Sequence, residues 1–225
     1  MINLFSVFEP QSSLKFLPLW STSIIILLIL PSKFWFIPNY LNYFFQNLLI
    51  QIHLELGRLL VKLKSPGHTH ILITLFIIIL MNNFFGLFPY IFTASAHFVF
   101  TVTLALNLWL GFITYILFTN RGYMLSHLTP LATPILLIPA IILIELVSNF
   151  IRPITLAVRL AANLVAGHLL IVLISTPAVR ATWPIIILIL RSLLALLILE
   201  LAVALIQSYV FSVLICLYIA EINLP

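Results

Sequence analysis

Residues 135–176 read ILLIPAIILIELVSNFIRPITLAVRLAANLVAGHLLIVLIST, and residues 183–221 read WPIIILILRSLLALLILELAVALIQSYVFSVLICLYIAE. Neither stretch alternates with period two, so both argue for helix over strand. At 1.5 Å per residue a helix of about 40 residues is roughly 60 Å long, about twice the roughly 30 Å hydrocarbon thickness of a bilayer. Each run must therefore split into two spans or cross at a steep tilt. Splitting needs a polar hairpin mid-run and none is present; Pro139 and Pro153 supply only kinks in the first run. The favoured expectation is a hairpin of two long tilted helices, 135–176 and 183–221, turning at 177–184.

Composition agrees. Of 225 residues 64% are hydrophobic and 7% charged, with a mean hydropathy of +1.28. A water-soluble domain carries about 25% charged residues, so much of this surface must face lipid. Hydrocarbon cannot satisfy peptide groups, which leaves helices or a closed barrel as spanning structures, and the unalternating Leu/Ile runs exclude the barrel. The fold class expected is an all-α polytopic membrane protein. The net charge of +5 comes from ten Lys/Arg against five Glu, with no Asp. These cations are scattered singly between apolar runs instead of clustered on a solvated face, which argues against nucleic acid as a partner.

Upstream, 16–37 reads as a first span, its apolar run 16–30 bracketed by Pro18 and Pro31 and followed by Lys33, with 34–37 continuing it. In 40–64, Leu41, Phe44, Phe45, Leu48, Leu49 and Ile52 recur at helical spacing opposite Asn42, Gln46, Glu55, Arg58 and Lys62. That pattern describes a helix lying in the interface. Residues 71–92 and 98–118 read as two further spans, and the whole chain, 1–225, as one membrane domain. With this topology Lys33, Arg58, Lys62, Lys64 and Arg121 share one side, which the positive-inside rule assigns to the matrix or cytoplasm. The N-terminus has no signal-peptide pattern. Cys216 is alone, and His53, His68, His70 and His127 show no metal-ligand spacing. No phosphate loop or Ser/His/Asp set is present, so neither a cofactor nor a metal is expected.

Six titratable or charged residues stand inside the two long helices: Glu145, Arg152, Arg159, His168, Arg191 and Glu200. A charge at the bilayer centre costs at least about 2.5 to 3.5 kcal/mol on insertion scales, so such residues serve ion pathways or pair with one another. At 100° per residue Glu145, Arg152, Arg159 and Ala166 align, with Ser148, Thr155 and Asn163 within about 40° of the line. This is a polar stripe that should face protein or water. Glu200, Gln207 and Tyr218 align on the last helix. His168 lies opposite Arg159, and the facing helix with Glu200 is its natural partner. A structural reading remains for Glu145 with Arg152, as a buried pair fixing register, and for Arg191 as an interface anchor. A secondary transporter of an ion or small solute would also use buried charges, although such folds show internal repeats and none is seen.

Leu156-Ala157-Val158-Arg159-Leu160-Ala161-Ala162-Asn163, followed by Ala166-Gly167-His168-Leu169-Leu170, resembles the signature helix of the subunit a family of rotary ATP synthases. The segment from Leu199 to Phe211, with Glu200 and Gln207, is similar to that family's last helix. Weaker similarity runs through Asn83 to Tyr90, Ser95-Ala96-His97 and Leu4 to Pro10. His at 168 with Glu at 200 resembles the mitochondrial branch, and Ile151-Arg152-Pro153 looks arthropod-like.

The resemblance implies a proton-translocating stator beside a rotating c-ring whose subunits each carry a membrane carboxylate. It implies two offset half-channels. Arg159 would stand between them, His168, Glu200, Asn163, Gln207 and Asn83 would line the inlet, and Glu145 and Ser148 the outlet. His97 would line the inlet or cap its loop. The implied partners are protons, the c-ring, peripheral-stalk and other Fo membrane subunits, and the lipid bilayer. The implied location is the mitochondrial inner membrane, or a bacterial plasma membrane as the alternative. The chain has no nucleotide site, so ATP chemistry would occur elsewhere in the assembly.

Overall fold

The structure is a computed structural model that describes residues 8–10, 19–28, 39–60, 67–88, 91–119, 122, 137–180 and 182–222. Among these residues there is no strand. The helices are α1 (Ser21–Leu28), α2 (Tyr40–Leu59), α3 (Gly67–Gly86), α4 (Phe98–Thr119), α5 (Ile138–Ser175) and α6 (Trp183–Ile222). Four stretches are long and apolar enough to cross a membrane: Thr69–Gly86, Phe98–Tyr115, Ile138–Ala178 and Trp183–Ala220. Of the expected span over 16–37 only the part including α1 is described, and 61–64 also lie outside the described residues.

Each of the two long apolar runs is a single helix. α5 has Pro139 in its first turn, where a missing N–H is harmless, and continues through Pro153. Its 38 residues make a rod about 57 Å long, which fits a layer of about 30 Å only when inclined. A 3-10 turn at Thr176–Arg180 precedes α6.

α3 ends at Gly86, short of Phe92. Pro89 follows, and the residue before a proline is pushed out of helical backbone. The chain then turns back over the helix end: a Cβ on Gly86 would stand 2.9 Å from the Thr93 methyl. A short 3-10 turn at Ala94–Ala96 is buried between α3, α4 and α5.

The core forms where periodic apolar faces meet. α5 buries Leu156, Ala157, Leu160, Ala161, Leu164 and Gly167, spaced by three and four, and packs against α4 and α6. α6 contributes Phe211, Ile215, Cys216 and Ile219 and lies along α3. The amphipathic α2 inserts Leu56, and the Leu60 that caps its end, into this cluster. The Cys216 thiol donates to the Leu56 carbonyl at 3.8 Å, and the Tyr209 hydroxyl donates to Glu55 at 3.3 Å. The outer faces are a different matter: Leu188 and Ile198 are 70% and 71% exposed. Apolar surface of that kind on membrane-length helices is what lipid covers.

Candidate functional site

The α5–α6 hairpin brings together residues that are far apart in sequence. Asn163 donates from Nδ2 to Oε1 of Gln207 at 3.2 Å. One helical turn further along α5, Gly167 carries the Glu200 carboxylate against its Cα: a Cβ there would lie 2.7 Å from the carboxyl carbon and 3.1 Å from Cγ. At the opposite end of the hairpin the Arg152 guanidinium sits over the Tyr218 ring, 5.3 Å from its centroid. The chain direction is antiparallel throughout: as residue numbers fall from 167 to 163 to 152 on α5, they rise from 200 to 207 to 218 on α6.

Burial divides these side chains into two groups. Glu200 and Gln207 are buried, as is Asn83 on α3. His168 is half-buried and meets the Phe8 ring edge-on, with centroids 6.2 Å apart. Arg159, by contrast, is exposed, and so are Thr155, Ala162, Asn163 and Ala166 around it. Helical spacing explains the split, because the buried residues of α5 occupy the face opposite Arg159. This chain therefore leaves the face that carries Arg159 uncovered. Toward the start of α5, Glu145 and Ser148 are half-buried, and the Ser148 hydroxyl donates to the Glu145 backbone carbonyl at 2.9 Å.

Several buried polar atoms have no hydrogen-bond partner among the described residues: both carboxylate oxygens of Glu200, Nε2 of His168, Nε2 of His97, Oδ1 of Asn83 and Oγ of Ser95. No hydrogen bond therefore joins His168 to Glu200, although Gly167 sets the carboxylate beside the residue preceding the histidine. In native proteins buried polar atoms of this kind are few. Here they sit on α3, the 94–96 turn and its cap, α5 and α6, elements that pack on one another. Four of these six atoms belong to titratable side chains, those of Glu200, His168 and His97.

His97 lies between the spans, capping the 94–96 turn. Burial lowers its pKa below the ordinary 6.5, and a hydrogen bond from its ring to the Phe8 backbone opposes that shift. Its ring stacks on Phe92 at 5.0 Å and lies 5.1 Å from Trp20.

The family described as ATP synthase A chain matches residues 16–220. The chain belongs to that family. The chain is similar to ATP synthase subunit a of Aedes aegypti, 47% identical over 225 residues, covering 99% of this chain and all of that protein. ATP synthase subunit a of Drosophila melanogaster is 45% identical over 223 residues, with 99% and 100% covered. That of Locusta migratoria is also 45% identical over 223 residues, with 99% of each chain covered.

Three features of this family member were not singled out by its sequence alone. Gly167 seats Glu200; a glycine inside a long helix weakens it by roughly 0.5 to 1 kcal/mol, so its presence was a signal of close approach. Ser95 buries an unpartnered hydroxyl, which a Thr-Ala-Ser-Ala loop does not advertise. Phe8 reaches both His97 and His168, and no local pattern indicates a contact so distant in sequence.

Proposed function

We propose that this chain is the proton-conducting stator of a mitochondrial inner-membrane ATP synthase. In this reading it loads and unloads protons on the carboxylates of a rotating c-ring and is held by peripheral-stalk and other Fo membrane subunits. The observation that carries the proposal is the separation of opposite charges within one hairpin. Glu200 is buried against Gly167, whereas Arg159, in the same helix as that glycine, is exposed.

A guanidinium on the outer face of a spanning helix is expensive in lipid. A neighbouring subunit that presents a carboxylate to it removes that expense. Such a carboxylate would be favoured in its ionised form beside Arg159, since an opposite charge lowers a carboxyl pKa. The guanidinium stays charged at any accessible pH, and its field opposes direct proton leakage past it, as cationic groups do in other pores. Ala162 and Ala166 on the same face permit close helix approach.

The inlet half-channel would use His168, Glu200, Asn163, Gln207 and Asn83. Supporting this are the buried, unpartnered atoms of His168, Glu200 and Asn83 and the Asn163–Gln207 hydrogen bond at 3.2 Å. Imidazole titrates near neutral pH and can relay protons. Glu145 and Ser148 would form the outlet near the start of α5. The potential supplies about 2.3 kcal/mol per charge per 100 mV, which drives the ring.

The test is proton-driven ATP synthesis by vesicles carrying the assembled enzyme with Arg159→Lys. Lysine loses its proton more readily on burial, and coupled synthesis is expected to vanish while the enzyme remains assembled. Synthesis at the native rate would sink the role given to Arg159.

A further inference from the structure

Phe8 makes one contact with each of two histidines on different elements. Its backbone accepts a hydrogen bond from the ring of His97, which caps the 94–96 turn. Its own ring meets His168 on α5 edge-on, with an interplanar angle of 78°. Behind His97, Phe92 stacks at 30° and Trp20 tilts at 50°, while Trp20 and Phe92 meet each other edge-on at 5.5 Å. His97 is therefore in contact with the rings of Phe92 and Trp20 and with the Phe8 backbone.

The Nε2 atoms of His97 and His168 are both buried and without hydrogen-bond partners among the described residues, as are both oxygens of Glu200. Gly167, next to His168, is in turn the seat of the Glu200 carboxylate. Proton-exchanging groups thus stand on the cap of the 94–96 turn, on α5 and on α6, and Phe8 touches two of them, His97 and His168. The ring of Phe8, which meets His168 edge-on, cannot itself exchange a proton. An aromatic ring at such a place repels bulk water, and hydrophobic constrictions of this kind act as gates.

We propose that Phe8 is a positioning residue that gates the proton inlet: its carbonyl orients His97, and its ring screens the edge of His168 so that protons arrive by way of His97 while hydrated ions and bulk reagents are kept out. The proposal rests on the inlet reading of His168 and Glu200 given above. It adds the approach to that inlet and the aromatic box of Trp20, Phe92 and Phe8 that shapes it.

The experiment uses the assembled ATP synthase in proteoliposomes, treated with diethylpyrocarbonate and mapped by mass spectrometry at each histidine. In Phe8→Ala, the modification rate at His168 is expected to rise severalfold, whereas Phe8→Leu, which keeps apolar bulk and the backbone carbonyl, stays near native. His53, half-buried against His70 at 5.5 Å between α2 and α3, is the internal control. An unchanged rate at His168, or an equal rise at His53 and His168, would overturn the gate. Should Phe8→Ala fail to assemble, His97→Gln in the native background supplies the second measurement. Its synthesis should slow severalfold with a displaced pH profile, and a native rate and profile would equally overturn the proposal. Full synthesis by His168→Ala would instead remove the inlet reading itself. A requirement for His168, with no effect of Phe8→Ala on its modification, removes the gate alone.

Discussion

Gly167 shows how much one absent methyl group decides. A Cβ at this position would stand 2.7 Å from the carboxyl carbon of Glu200, so alanine must displace the carboxylate. Alanine also favours helix over glycine by about 0.8 to 1.0 kcal/mol, and the displaced atoms are the far end of a flexible side chain. Overpacking of a rigid neighbour would cost about 1 to 3 kcal/mol, but a rotatable carboxylate can yield for less. The two effects nearly cancel in stability while function does not escape. We expect Gly167→Ala to leave the thermal stability of the assembled enzyme nearly unchanged and to reduce proton-driven ATP synthesis about tenfold, since a working group misplaced by about 1 Å can lose up to about 10²-fold. Vesicle synthesis rates beside a thermal unfolding curve check this; a native rate would show that the position of the Glu200 carboxylate is unimportant.

At the scale of elements, the α5–α6 hairpin has a defined register. It is marked by Gly167 with Glu200, Asn163 with Gln207, and Arg152 with Tyr218. The last contact is a cation–π pair, worth about 0.5 to 1 kcal/mol at exposed sites and about 2 or more when desolvated, and it anchors the hairpin at the far end from Glu200. The register has a covalent test. The 3.1 Å between a Cβ at 167 and Cγ of Glu200 is close to the roughly 3 Å between a Cβ and the sulfur across a disulfide. Gly167→Cys combined with Glu200→Cys should therefore oxidise to an intrachain disulfide in the membrane, detected as a linked peptide by mass spectrometry. Neither single variant should give that peptide, because Cys216 is fully buried and donates to Leu56. Failure of the double variant to link under oxidant would reject this register.

For the whole molecule, the telling feature is what it leaves open. α5 and α6 bury one face each against α3, α4 and each other, yet the face with Thr155, Arg159, Ala162 and Ala166 is exposed. An apolar face in this position could be covered by lipid, but a guanidinium could not without a large penalty. Replacing a small residue there should therefore leave this chain's own fold intact and interfere with its neighbour. We expect Ala162→Trp to insert normally, with native stability of the chain in detergent, and to lose most coupled synthesis by the assembled enzyme. Native synthesis with tryptophan in place would mean that no subunit approaches this face closely.

The sequence by itself determined that the chain lives in a bilayer, that it is helical and that its last two helices are too long to cross upright. Those conclusions follow from apolar runs and the period of the helix, which are local properties. It also determined the stripe containing Arg159 and Asn163 and the alignment of Glu200 with Gln207, because residues on one helix keep fixed angles. Only the tertiary structure decided which stripes meet: that Glu200 rests on Gly167 without a hydrogen bond to His168, that Arg152 finds Tyr218, and that Phe8 closes on His97 and His168. Contacts between elements depend on their relative height and rotation, which arise from the packing of every face at once. No spacing within a single helix encodes them.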